Sequence, residues 1–225
     1  RLWRVDIEPA QCAQPEVGIV HFLPFDGAPG DFIENAYVAS RSELLFAPGL
    51  IGQALHLDSN RDVGFHSSSD IQFPAETSTL AFFIKPAKPV TNVPLFEKPL
   101  VPGEAGWSLS FNEQSHPVLE LVPVAGPKQG FTAGVPLADK VWTHIAFVRA
   151  GDTFSAYVNG KPAGSLTIAG IDVKTWARPT AIGKSEVRSG RFEGLLDELA
   201  MWARAFSPRE VKELYEKRLA APCRP

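Results

Sequence analysis

Apolar residues recur at every second position through much of the chain, and a period of two residues is that of a β-strand. Residues 142–149 carry apolar side chains in both the even and the odd series, which predicts a strand covered on both faces. Residues 153–158 alternate again and are followed directly by Asn159 and Gly160. An Asn-Gly pair tolerates the positive φ angles of a type I′ turn, so a hairpin is predicted between residues 153–158 and 161–168.

Further strand-like segments follow one another along the chain, separated by clusters of Gly, Pro, Ser and Asp. They lie at residues 17–25, 53–58, 63–66, 79–85, 93–98, 107–112, 118–124, 180–183 and 192–203. About a dozen short strands with frequent turns predict an all-β fold, a large antiparallel two-sheet β-sandwich. The 225 residues suit one such domain, and no linker divides the chain.

One helix is predicted near the end of the chain. Ser207 supplies an N-cap hydroxyl, Pro208 stands at the first helical position, and Glu210 closes a capping box. Val211, Leu214 and Tyr215, at i, i+3 and i+4, form an apolar stripe, and the helix is expected to end near residue 218 or 219. We expect this stripe to pack on the edge of the sandwich.

The amino-acid composition excludes some classes of binding partner. The chain is 44% hydrophobic and 21% charged, which is the range of folded proteins rather than of disordered ones. A net charge of −3 without a long basic run argues against binding to nucleic acid or to an anionic membrane surface. No apolar run approaches the length of a membrane span, so direct membrane insertion is not expected.

The two cysteines, Cys12 and Cys223, stand near opposite ends of the chain. Their separation excludes the CxxC spacing of zinc ribbons and redox motifs. It suits a disulfide that ties the termini together, and two unrelated free thiols are the alternative. A bridge would indicate an oxidising compartment.

Several motifs, in order, resemble those of laminin-G-like domains in the concanavalin A-like lectin/glucanase superfamily. The hairpin resembles that family's W-x-H-[VI]-A and Y-V-N-G-K pattern, and the C-terminal part resembles its F-x-G-x-[IL]-D-E-[VL] strand with a closing helix. The segments that carry the resemblance are residues 52–58, 80–86, 141–149, 154–161, 192–202 and 206–215.

The resemblance implies a concanavalin A-like jelly-roll domain over residues 17–219, with residues 1–16 as an N-terminal extension and 220–225 as a tail. It also implies that a ligand binds on the concave face or at the rim loops. We therefore expect a secreted, periplasmic or cell-surface binding module whose partner is a carbohydrate or, alternatively, an extracellular protein in an adhesion or structural role.

Asp197 is a carboxylate within an otherwise apolar run, where burial without a partner would be costly. In many members of the superfamily the matching aspartate binds a structural Ca²⁺. The resemblance extends that site to the carbonyl of Gly52 and to the end of the first strand at Asp26. The alternative is that Asp197 accepts backbone N–H groups or pairs with a Lys or Arg. Glu198, on the opposite face, is predicted to be solvated.

Catalysis is not expected. The retaining glycosidases of the superfamily take their acid pair from one strand with an E-x-D-x-x-E pattern, and this chain lacks it. The signatures of serine hydrolases, zinc peptidases and P-loop enzymes are also missing from the sequence. His144 belongs to the family hairpin and is interpreted as structural.

A carbohydrate site needs an exposed aromatic ring beside polar side chains. Trp107, Trp142 and Trp202 fall in strand patterns and are predicted to lie in the core. Trp176 lies in a polar connection with Lys174 and Arg178, so it is a candidate stacking platform, although a loop tryptophan that covers a sheet edge is the alternative.

The loop of residues 184–191, which contains Arg188, is a second candidate contact at the rim.

Overall fold

The computed structural model describes residues 17–30, 33, 36–61, 63–67, 73–98, 105–171, 180–185 and 189–217. Within these ranges the chain forms fifteen strands and one helix. The strands are β1 (Ile19–Leu23), β2 (Ala36–Ser40), β3 (Leu45–Pro48), β4 (Gln53–Leu57), β5 (Val63–Ser67), β6 (Thr77–Pro86), β7 (Pro94–Glu97), β8 (Gly106–Phe111), β9 (Pro117–Val122), β10 (Gln129–Thr132), β11 (Thr143–Ala150), β12 (Thr153–Val158), β13 (Lys161–Thr167), β14 (Thr180–Ile182) and β15 (Gly194–Trp202). The helix is α1 (Pro208–Lys217).

The strands form two antiparallel sheets, as the alternation predicted. An eight-stranded sheet has the order β13-β12-β11-β6-β15-β4-β3, with β1 pairing to β15. A seven-stranded sheet has the order β10-β9-β8-β7-β14-β5-β2. The predicted hairpin is confirmed, since β12 pairs with β13 across Asn159 and Gly160, both of which have positive φ.

Three strands were missed by the sequence prediction: β2, β3 and β10. All three stand at the ends of their sheets. An edge strand pairs on one side only, so its apolar and polar positions are less sharply divided than those of a central strand.

Apolar side chains from the two sheets meet in one core. Trp107 from the seven-stranded sheet is fully buried there, and Phe82 and Phe96 from opposite sheets meet edge to face with ring centroids 5.2 Å apart. The core position predicted for Trp107 is confirmed, and Trp202 is buried in a second cluster. Trp142 is only half-buried because it precedes β11 rather than belonging to it, so the core prediction is wrong for this residue.

The capping box at the start of α1 is confirmed. Glu210 Oε2 accepts the backbone N–H of Ser207 at 2.7 Å, and Ser207 Oγ accepts the N–H of Glu210 at 3.3 Å. The helix packs Val211 and Leu214 into a cluster with Ala146 and Trp202 on the outer face of the eight-stranded sheet. The predicted packing on the sandwich edge is therefore wrong, because the apolar outer positions of that sheet offer a broader surface.

No helix in the described ranges is long and apolar enough to span a bilayer.

Strand β15 contains a bulge at Glu198. Asp197 pairs with Phe83 and Ala200 with Ala81, so two residues of β15 stand opposite one residue of β6. Glu198 occupies the left-handed region with φ of 51°, a conformation that costs a non-glycine residue about 1–2 kcal/mol. The bulge redirects the side chain of Glu198 toward the layer beneath α1.

Two polar side chains are buried in that layer. Glu198 and His144 are 3% and 1% exposed, and among the described residues neither the carboxylate oxygens nor the ring nitrogens have a hydrogen-bond partner. With Phe83 and Leu214 they line a cavity of about 10 Å³. The prediction that Glu198 is solvated is wrong, because the bulge shifts it from the register that simple alternation assigns.

Burial lowers the pKa of His144 to about 3. Burial, followed by the negative charges of Asp197 and Asp26, raises the pKa of Glu198 to about 9. Both groups are therefore uncharged at neutral pH, which is how two unpaired ionisable side chains are accommodated in an apolar layer.

We expect Glu198→Gln to stabilise the protein at pH 8 in the absence of divalent cations. Between about pH 4.5 and 9 folded Glu198 keeps a proton that the unfolded chain has lost, so stability falls as pH rises, by up to about 1.4 kcal/mol per pH unit. Glutamine has no titratable proton, so the substitution removes this dependence of the free energy of unfolding on pH. The free energy of unfolding, measured with denaturant from pH 5 to 9, tests this prediction, and Glu113→Gln at an exposed position is the control. An unchanged slope in Glu198→Gln would contradict the assignment.

Candidate functional site

The outer face of the seven-stranded sheet carries polar side chains. In β8, Trp107 and Leu109 point into the core, which turns Ser108 and Ser110 outward. The register places Ser108 between Glu97 of β7 and Glu120 of β9 on that face. A row of hydroxyl and carboxyl groups therefore crosses three adjacent strands; Glu97, Ser108 and Ser110 are buried, and Glu120 is partly exposed.

An open groove of about 450 Å³ lies beside this row, where β8 ends and β9 begins. The turn before β7, the turn between β8 and β9, and the loop before β15 supply its other walls. The groove is lined by Asn92, Ser110, Phe111, Asn112, Val118, Glu120 and Ser189.

Glu120 is held in place from both sides. Its Oε2 accepts a hydrogen bond from Ser108 Oγ at 3.1 Å, and its Oε1 pairs with Lys128 Nζ at 2.6 Å. The Glu120 side chain is 16% exposed and the Lys128 side chain 54% exposed. Such a screened pair contributes little to stability, but it keeps a charged acceptor oriented at the groove wall.

Asn112 is also fixed, by the turn that joins β8 to β9. Its Oδ1 accepts the backbone N–H groups of Gln114 and His116, each at 3.0 Å. The amide oxygen is thus occupied within the turn, which leaves the amino group as a donor. Asn92, in the left-handed region with φ of 54°, donates its backbone N–H to the Asn112 carbonyl at 3.3 Å.

These side chains match the chemistry of a hydroxylated ligand. Hydroxyl groups need acceptors such as carboxylates and donors such as amides, and fixed polar groups around a small apolar surface give orientation and specificity. Val118, in the outward series of β9, provides the apolar surface.

The two carboxylates on this face are held separately. Glu97 Oε2 accepts a hydrogen bond from Ser185 Oγ at 2.6 Å, while Glu120 is bound by Ser108 and Lys128. They come from β7 and β9 with β8 between them, which differs from the single-strand acid pair of the retaining glycosidases.

The residues predicted to bind calcium come together in the eight-stranded sheet. Asp197 Oδ2 accepts the backbone N–H groups of Leu50 and Ile51 at 2.7 and 3.3 Å. Asp26, just after β1, accepts the N–H of Gln53 at 2.7 Å. Both carboxylates thus approach the turn between β3 and β4, which contains Gly52.

Two glycines make this approach possible. A Cβ on Gly49 would lie 2.7 Å from Asp197 Oδ2, and one on Gly52 would overlap Asp26 Oδ1. The Gly52 carbonyl accepts the N–H of Gly49 at 3.0 Å and retains a second lone pair.

The charge of the two carboxylates is not neutralised by a basic side chain within the described ranges. Burial raises the pKa of Asp197 to about 6, the backbone N–H groups of Leu50, Ile51 and Glu198 oppose this shift, and the negative charge of Asp26 adds to it. Two hard carboxylates beside a backbone carbonyl fit calcium. No group of three or more His, Cys, Asp or Glu side chains suited to a metal occurs in the described part of the chain, so further ligands would be backbone or water oxygens.

Other predicted residues fall outside the described ranges. These are Cys12, Lys174, Trp176, Arg178, Arg188 and Cys223, and the ligand-binding and disulfide roles assigned to them stay predictions. The loop of residues 184–191 contributes Ser189 to the groove. The groove residues Asn92, Ser110, Asn112 and Glu120 were missed. The sequence did contain an indication of this polar face, since Ser110 and Glu120 occupy the polar positions of two strands with alternating apolar residues.

Solved structures share this fold. Domain 4 of AbnA, a GH43 extracellular arabinanase from Geobacillus stearothermophilus solved in complex with arabinotriose, gives a TM-score of 0.71 at 22% identity over 88% of this chain and 98% of that chain. A second similar structure is that of botulinum neurotoxin type C, whose cell entry depends on interaction with two ganglioside molecules. It gives a TM-score of 0.71 at 14% identity, covering 89% of this chain and 51% of the toxin chain.

The binding domain of botulinum neurotoxin DC, in complex with rat synaptotagmin II, gives a TM-score of 0.70 at 14% identity over 89% of this chain and 51% of the toxin chain. This protein thus spans about half the length of the two toxin chains. At these identities the likeness establishes the fold, and the ligands are those of the other proteins.

No curated protein sequence matches the chain. A family model does: Laminin_G_3, described as belonging to the concanavalin A-like lectin/glucanases superfamily, matches residues 59–212. That match covers more than half of the chain and includes the strands and turns that form the groove. The chain therefore belongs to the Laminin_G_3 family of the concanavalin A-like superfamily.

Proposed function

We propose that this protein is a non-catalytic extracellular binding module that recognises carbohydrate in the groove of the seven-stranded sheet. The observation that carries the proposal is the groove itself: a volume of about 450 Å³ bordered by amide, hydroxyl and carboxylate side chains, with Glu120 and Asn112 already oriented by their own hydrogen bonds. Pre-oriented polar groups reduce the entropy lost when a flexible glycan binds.

The structural neighbours support a carbohydrate ligand. One was solved with arabinotriose, and another belongs to a toxin that interacts with gangliosides. A third was solved with a protein, synaptotagmin II, so a protein partner is the alternative. The polar lining of the groove favours the carbohydrate, because the central part of a protein interface is usually depleted of charged side chains.

Glu120→Gln and Ser189→Phe should each weaken glycan binding by about tenfold or more. The first replaces a charged acceptor, which typically contributes about 1.5–3 kcal/mol in a hydrogen bond, and the second fills the groove from an exposed loop position. A glycan array followed by calorimetry on the best ligand measures both, with exposed Val124→Ala as the matched control.

Absence of glycan binding by the unmodified protein would refute the proposal. Binding that both groove variants retain would place the carbohydrate elsewhere on the molecule. Release of reducing ends from a bound polysaccharide would show that the module is catalytic after all.

We also propose that Asp26, Asp197 and the Gly52 carbonyl hold a structural Ca²⁺. The support is the pair of carboxylates that face one turn beside the Gly52 carbonyl, with no basic side chain in the described ranges to neutralise them. A divalent cation would neutralise this charge and fix the end of β1 against the β3–β4 turn and β15. The proposed role is to stabilise the fold, because the site lies in the sheet opposite the groove.

Calcium should raise the melting temperature of the protein, and EDTA should reverse the effect. A ligand that binds only the folded state adds about 2.7 kcal/mol at 100 times its Kd. Asp26→Asn keeps an oxygen for the Gln53 N–H but removes the charge, so it should abolish the calcium-dependent shift. Asp139→Asn, in the segment between β10 and β11, is the control. An equal shift in Asp26→Asn, or no shift in the unmodified protein, would refute the site.

A further inference from the structure

Tyr37 is a large aromatic side chain that is half exposed, at 49%, on the same outer face as the groove. Its neighbour Val38 is buried in the core between the sheets, so Tyr37 of β2 projects outward. His66 of β5 is its register partner, and the two rings stack with centroids 5.3 Å apart and planes 7° from parallel. His66 therefore holds the tyrosine ring in a defined orientation.

The other side of Tyr37 is bordered by Gly30. Gly30 forms an isolated bridge with Tyr37, and the Val38 N–H donates to the Pro29 carbonyl at 2.7 Å, which keeps the two segments adjacent. No described residue has a heavy atom within 4 Å of a Cβ placed on Gly30, and the φ of Gly30 lies outside the left-handed region. Within the described part of the chain, the ring is thus supported by His66 and open on the side of Gly30.

We propose that Tyr37 is a stacking platform for a sugar ring, forming a second carbohydrate subsite on the face that carries the groove. This proposal depends on the proposed function, namely that the protein binds carbohydrate. A tyrosine presents a flat apolar surface with few rotatable bonds, and its hydroxyl stays in water, so it offers contact to the apolar C–H face of a sugar at a low entropic cost.

The platform and the groove are separated along the sheet. From β2 to β8 the order is β2-β5-β14-β7-β8, which is four strand spacings, or about 19 Å. A short oligosaccharide occupies one subsite at a time, whereas a polysaccharide with repeating units engages both. Such two-point attachment raises the apparent affinity for the polymer above that for its short fragments.

The test uses a fixed panel of probes: arabinotriose, cellotriose and maltotriose, together with arabinan, soluble β-glucan and starch. Binding of trisaccharides is measured by saturation-transfer NMR and calorimetry, and binding of polymers by affinity electrophoresis. The variants are Tyr37→Ala, which removes the platform, and Gly30→Leu, which fills the open side without forcing a strained φ. Tyr37→Phe keeps the ring and is the matched control, and melting curves verify that each variant is folded.

We expect Tyr37→Ala and Gly30→Leu each to weaken binding of the recognised polymer by about tenfold, and Tyr37→Phe to change it by less than about twofold. Polymer binding that is the same in Tyr37→Ala as in the unmodified protein would overturn the platform. So would unchanged binding in Gly30→Leu, because the ligand would then not use the open side.

The groove variant Glu120→Gln separates the two proposals. If it loses binding while Tyr37→Ala does not, the groove stands and the platform is wrong. If Tyr37→Ala loses binding while Glu120→Gln does not, the platform stands and the groove assignment is wrong. If the unmodified protein binds none of the six probes, the platform is overturned together with carbohydrate recognition of these classes.

Discussion

The bulge in β15 is the constraint on which most of this structure depends. Strand β15 pairs with β6 along one side, and along the other with β4 before the bulge and with β1 after it. The extra residue in the bulge allows β15 to pair with three neighbouring strands. It places Asp197 against the β3–β4 turn, turns Glu198 toward α1, and returns Leu199 to the core. The positive φ of Glu198 is the local cost of these arrangements.

The two outer faces of the sandwich have different surroundings. The outer face of the eight-stranded sheet is apolar around Ala146 and Trp202 and is covered by α1. The outer face of the seven-stranded sheet instead carries polar side chains: Glu97 and Ser108 are buried at 1% exposure each, and Glu120 lines the groove. Antiparallel sheets can leave one face partly open to water, and here the open parts of the polar face are the groove and the surroundings of Tyr37. One outer face is thus closed by an apolar contact with α1, and the other carries a polar groove.

The proposed metal site and the ligand face belong to opposite sheets. Asp26 and Asp197 hold the end of β1 to the turn after β3, while the groove is built from β8, β9 and their adjoining loops. A cation at the carboxylates would act on stability, and the groove and the tyrosine platform would act on binding. Because of this separation, the proposed metal site can be altered without removing the groove, and the groove can be altered without removing the proposed metal site.

The sequence by itself determined the features that depend on neighbouring residues. Alternation in residues 142–149 and the Asn159–Gly160 turn predicted a β-sandwich hairpin, and Ser207 with Glu210 predicted the start of α1, because strand faces, tight turns and caps are set by local geometry. Resemblance to a known family added the convergence of Asp26 and Asp197 at one turn.

Only the tertiary structure decided features that join distant segments. The edge strands β2, β3 and β10 have weak patterns because each pairs on one side. The burial of Glu198 follows from a register shift against β6, which alternation within β15 alone does not reveal. The groove unites Asn92, Asn112 and Ser189, and the platform unites Gly30, Tyr37 and His66. Such groupings arise from strand order and packing, which are long-range properties of the folded chain.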